Sequence, residues 1–302
     1  MTDNIKLIFQ NNISLLEQAD KAICYFREQR HNIALGIMAD SMGLIRNSIE
    51  AIITDKEYFN LLSTDSVLDM LSRILDAYKT GDYILLADLL ELQLISFIIG
   101  VQELIISKEE LSYREINYDE NIRLLRSNSI GLAELLSKPV DVDNLLREGY
   151  RVEFSSCGLM TLAARNKEES YYFHTNGRIS AEAFMLARHW YKKDVKRYII
   201  YGLAFGYHIR ELAAMADHAE IIIYEEDPNV ILLAGAFMRL KDIFDTGRVK
   251  LVYDPKLEDL GSRLNNLQKD EAFYVHYPSY QNSRCEGGRE LLKNYVSWSQ
   301  TL

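Results

Sequence analysis

Residues 197 to 229 read RYIIYGLAFGYHIRELAAMADHAEIIIYEEDPN, and the residue types in that stretch are those of a ligand cradle. Gly202 and Gly206, with Ala204 between them, make a G-x-A-x-G turn straight after an apolar run. Small residues there let a backbone approach a ligand closely, and the free N–H groups of the next helix's first turn favour a negative group. Tyr207 and His208 follow the turn and would face the same crevice. Glu225, about 20 residues on, ends a second apolar run, where an acid can accept bonds from a ribose diol. Asp254 and His276 end two further runs, at the edge where open α/β sheets bind ligands. His174, Asn176 and Arg178 lie in a loop leading through one helix into the first run, so that loop can lean over the crevice. Against this stands a scaffold reading, in which the turn only packs and Phe205 or Tyr207 fills the crevice.

The elements that must position these residues follow from hydrophobic period. Tyr198–Tyr201, Ile221–Tyr224, Val249–Tyr253 and Ala272–Tyr277 read as buried parallel strands separated by helices. Right-handed crossovers then give the spatial order 3-2-1-4. Residues 150–155, 159–164 and 170–174 read as a β-meander, preceded by one helix over 118–136 and a short one over 141–147. Residues 4–108 repeat apolar positions at three and four, as helices of an antiparallel bundle do. The expected architecture is an all-α bundle (1–110), a linker helix with the β-meander (111–194), and an α/β Rossmann-like, methyltransferase-like domain with a truncated parallel sheet (195–302).

Bulk properties exclude several classes. A net charge of −10 with no basic stripe argues against a life on nucleic acid. Cys24, Cys157 and Cys285 are far apart and make no Cys/His pair at metal-ligand spacing, so no metal site is expected. Nucleophile elbows, HExxH and Walker loops are absent. Ile84–Ile106 is long and apolar, but Asp88, Glu91, Gln93, Gln102 and Glu103 would be costly in lipid, so it reads as a core helix. The N-terminus MTDNIKLIF lacks a signal peptide's pattern, and a cytoplasmic location is expected.

Residues from about 118 to 300 resemble the N-terminal region of the motility accessory factor family, bacterial proteins implicated in glycosylating flagellin. His174-Thr-Asn-Gly-Arg-Ile-Ser-Ala-Glu-Ala183 is similar to that family's H-S-x-x-x-P-x-x-E-A segment, although Thr175 replaces the serine and the proline is absent. Tyr201-Gly-Leu-Ala-Phe-Gly-Tyr-His208 is similar to its G-x-G-x-G-Y-H loop. Tyr224-Glu-Glu-Asp-Pro228 is similar to its E-P-D strand end, and Val275-His-Tyr-Pro-Ser279 to its later H-P strand. Family members continue into a larger transferase domain, and no counterpart follows these residues. The resemblance therefore implies an accessory Rossmann-like domain and its ligand, without the transferase activity. Two function classes follow. One is an accessory or binding module that meets a protein partner through the bundle and takes a nucleotide-type ligand, such as a nucleotide sugar, at the Gly202–Gly206 loop. The other is an S-adenosylmethionine-dependent methyltransferase, which needs mainly proximity and alignment and so few catalytic residues.

Overall fold

The computed structural model describes residues 3–55, 57–59, 64–109, 115–137, 141–147, 149–166 and 169–296. By internal contacts the chain divides into two compact units. The first holds Met1–Leu111 with Phe154–Leu159 and Gly177–Ala181; the second holds Ser112–Glu153, Met160–Asn176 and Glu182–Leu302.

The first unit is helical: α1 (Asp3–Arg27), α2 (His31–Thr54), α3 (Thr64–Thr80), α4 (Tyr83–Leu89) and α5 (Ser96–Lys108). Ile5, Ile8 and Phe9 of α1 close on Ile52, Phe59, Val101 and Ile105 to make its core. Gly81 stops α3 with φ +70, the left-handed conformation that glycine adopts without strain. Asp82 then starts α4 by accepting a bond from Leu85 N at 3.0 Å. Leu90–Ile95 widen into a π turn between α4 and α5. Tyr83–Lys108 is, among the described residues, the one helical run long and apolar enough by composition to cross a membrane, and 44% of its most apolar window is buried. Gln102, fully buried within it, donates to Phe9 O and accepts from Asn12 Nδ2, as a core helix requires of its polar groups.

The second unit is built on a five-stranded parallel sheet and a three-stranded one. In chain order the strands are β1 (Ser129–Ile130), β2 (Tyr150–Phe154), β3 (Met160–Asn166), β4 (Glu169–Tyr172), β5 (Arg197–Tyr201), β6 (Glu220–Glu225), β7 (Val249–Tyr253) and β8 (Glu271–Val275). The large sheet runs β1-β7-β6-β5-β8, so the four expected strands take the expected order 3-2-1-4. In β5, Tyr198 to Tyr201 are all buried, which explains their unbroken apolar run. The meander is β2-β3-β4.

Two expected elements are corrected. The single helix over 118–136 is instead Glu115–Asn128, then β1 beside β7, then a 3₁₀ turn at Leu135–Ser137. Gly131 makes the break: its φ is +82, and a Cβ there would lie 2.8 Å from Tyr253 O, so only glycine lets the chain pass so close. Residues 278–288, whose polar composition reads as a loop, instead begin within the helix Tyr277–Asn282, which has Pro278 in its first turn.

Candidate functional site

The glycine loop adopts the left-handed backbone that its residue types suggest. Gly202, Ala204 and Gly206 all have positive φ, at +100, +46 and +75. Leu203, Ala204 and Phe205 are fully buried, and Tyr207 is 3% exposed. The glycines accommodate the protein's own parts. A Cβ on Gly202 would collide with Cβ and Oγ of Ser279, and one on Gly206 with Cδ1 of Ile243. Tyr207 donates its hydroxyl to Met160 O at 2.9 Å.

The acids at the strand ends are likewise occupied by backbone. Glu225 Oε2 accepts from Leu203 N at 2.9 Å, and Oε1 accepts from Glu226 N and Asp227 N at 3.0 Å each. Three of the carboxylate's acceptor positions are thus taken by the chain's own N–H groups. Asp254 accepts from Glu258 N and Leu260 N, at the start of the helix Glu258–Leu264. Asp227 caps the helix Pro228–Phe237 through Asn229 N at 2.9 Å. Glu226 Oε1 gathers Ser283 Oγ, Arg284 N and Cys285 N. Four carboxylates on one edge of the sheet thus hold loops and helix starts together.

The three histidines picked out by position, His174, His208 and His276, do converge, and they do so inside the protein, at 3%, 1% and 1% exposure. His208 and His276 stack at 4.2 Å between ring centroids, with His174 at 6.2 and 5.6 Å from them. They encircle the loop from within. His208 Nε2 meets Gly202 O at 3.2 Å, where only the nitrogen can donate. Phe205 N donates to His174 Nε2 at 3.2 Å, and His276 Nδ1 lies 2.8 Å from Ser279 Oγ. His208 Nδ1 and His276 Nε2 are buried without a partner.

Burial, which disfavours the charged form, fixes how these groups titrate. It drives His208 down to about 3 and His276 well below the ordinary histidine value of 6.5. It also pushes Glu225 up to about 8 from 4.5, against the Asp227 and Leu203 N–H donors that act to lower it. Below pH 6.5 the unfolded chain binds protons that the folded histidines refuse, so stability rises with pH. From pH 4.5 to 8 the folded Glu225 holds a proton that the unfolded chain releases, so its contribution falls with pH. The sum peaks near pH 6.5 and declines above it by about 1.4 kcal/mol per pH unit. Urea midpoints in metal-free buffer between pH 5 and 8.5 check this; a curve still rising from pH 6.5 to 8 would contradict it.

The loop residues 174–178 are not kept as one group. Asn176 is exposed, and Arg178 belongs to the first unit, where it donates to Asp20 and Glu91. Sequence reading passed over Glu182 and Ser279. Glu182 Oε1 lies 3.8 Å from His174 Nδ1, while its Oε2 accepts from Thr175 N. His174, Glu182 and His276 each offer a ligand atom within 4.8 Å of the others, a set that could hold a metal ion. Local Cys/His spacing could not reveal a cluster drawn from positions 174, 182 and 276. No family model, curated protein or solved structure matches this chain.

Proposed function

We propose that this chain is an accessory binding module with a Rossmann-like second unit, related to the motility accessory factors of flagellin glycosylation, and that it works through a protein partner without catalysis of its own. The observation that carries the reading is Glu225: both its oxygens are bonded to backbone N–H groups of the chain, three in all. The acid that would define a cofactor site instead ties the glycine loop to the sheet. The helical unit supports a partner surface, since α3 exposes Leu68, Leu75 and Tyr78 at 54%, 47% and 51%, at a spacing that shares one helix face. The reading carries a cytoplasmic location with it. The alternative, an S-adenosylmethionine-dependent methyltransferase, is favoured by the 3-2-1-4 strand order and by an acid ending the second of those strands.

A thermal-shift series on the full chain separates the two. S-adenosylmethionine, S-adenosylhomocysteine, NAD and a set of nucleotide sugars are expected to leave Tm unchanged. A ligand of the native state at 100 times its Kd would stabilise it by about 2.7 kcal/mol. A saturable rise with the adenosyl compounds would establish the methyltransferase reading instead, and one with sugar nucleotides alone would restore the loop as a ligand site.

A further inference from the structure

We propose that His174, Glu182 and His276 form a binding site for a divalent transition-metal ion of the zinc class, entered from the Glu182 side. This goes beyond the accessory-module reading and does not depend on it. Two imidazoles and a carboxylate are a donor set that suits zinc, with one position left open. Their ligand atoms lie within 4.8 Å of one another. Around a tetrahedral zinc with ligand distances of about 2.0–2.1 Å they would lie about 3.3 Å apart, so side-chain adjustments of about an ångström close the site. His276 Nε2 is the independent pointer. It is fully buried and without a partner, in a protein where an orphaned polar atom needs a reason.

Outer contacts are in place as well. Ser279 Oγ at 2.8 Å holds His276 Nδ1, which leaves Nε2 to ligate, and Thr175 N orients Glu182 through its other oxygen at 2.8 Å. Glu182 keeps 26% of its side chain exposed, which gives an ion a way in. Loading has one internal consequence. His174 now accepts from Phe205 N at Nε2 and faces Glu182 with Nδ1 at 3.8 Å. To ligate through Nδ1 it must carry its proton on Nε2 and give up that bond. Metal binding and the closed glycine loop therefore compete at His174.

The test uses the full chain, stripped with a chelator and titrated with Zn²⁺ in competition with a chromophoric chelator. One ion per chain is expected, with affinity lowered in both Glu182→Gln and His276→Gln by more than the about 10- to 100-fold that loss of an outer contact costs. His218→Gln, at a histidine on the surface, should leave it unchanged. Glu182→Gln keeps the bond from Thr175 N at a partly exposed position, so it reports even where His276→Gln fails to fold. The amide of Phe205 should exchange faster with solvent deuterium in the loaded protein. Failure of the wild type to bind stoichiometrically, or unchanged affinity in Glu182→Gln, would overturn the site.

Discussion

Gly202→Ala is expected to destabilise the second unit by about 2–6 kcal/mol, with no ligand involved. Two independent effects add. A residue with a Cβ held at φ +100 carries backbone strain of about 1–3 kcal/mol. The added methyl also meets Ser279 Cβ and Oγ and, at 3.1 Å, His276 Cβ, and overpacking of a filled core costs about 1–3 kcal/mol. The two can be told apart. Ser279→Gly removes the colliding atoms, so the double variant should recover the packing part and keep the strain. Trp190, fully buried in the second unit, reports the transition by fluorescence in a Trp298→Phe background. A Gly202→Ala protein within 0.5 kcal/mol of wild type, on the order of an ordinary surface substitution, would remove the scaffold account of the loop.

That prediction turns on the difference between what sequence encodes well and what it leaves open. The sheet was legible because a strand buried on both faces must be a continuous apolar run, as Tyr198–Tyr201 is, and because the handedness of crossovers leaves few orders for four such runs. Strand β1 was not legible. Two residues make no periodic signal, and the leucines around them mimic a helix; only Gly131, with its positive φ, marked the break. At the site, residue type and approximate place were readable, and direction was not. Glu225 stands where a ribose-binding acid would, but a carboxylate accepts from a backbone N–H as readily as from a sugar hydroxyl. Which donor reaches it depends on how residues 203, 226 and 227 fold back. The same holds for His276 at the end of β8. A strand-end side chain can face solvent or core, and the small Gly202 beside it admits the inward choice.

Arg178 was the residue most misplaced by sequence order, and its replacement carries the second large effect. Two positions after Asn176 in the chain, it is nevertheless part of the first unit, where Nε lies 2.9 Å from Asp20 Oδ1 and Nη1 lies 2.8 Å from Glu91 Oε1 in the π turn. Ser180 Oγ completes the shell of Asp20 at 2.9 Å, and Asp20 is only 5% exposed. Burial raises the pKa of this carboxyl, and the Arg178 charge and hydrogen bonds oppose that rise. Arg178→Ala leaves a buried acid without its counter-charge and is expected to destabilise the helical unit by about 3–5 kcal/mol at pH 7, read from urea midpoints by far-UV circular dichroism. Lysine should restore only part of the loss, because a point charge cannot bond Asp20 and Glu91 together as the guanidinium does. The pH dependence identifies the cause. Without Arg178 the Asp20 pKa rises further above its unfolded value of 3.8, so the folded state is favoured while the acid stays protonated and loses that support as pH climbs. The penalty should therefore shrink as pH falls from 7 toward 4, and Asp20→Asn in the same background should recover stability at pH 7. An Arg178→Ala penalty below about 1 kcal/mol, the size of an exposed ion pair, or one equal at pH 5 and pH 7, would show that Asp20 does not depend on Arg178 for its charge.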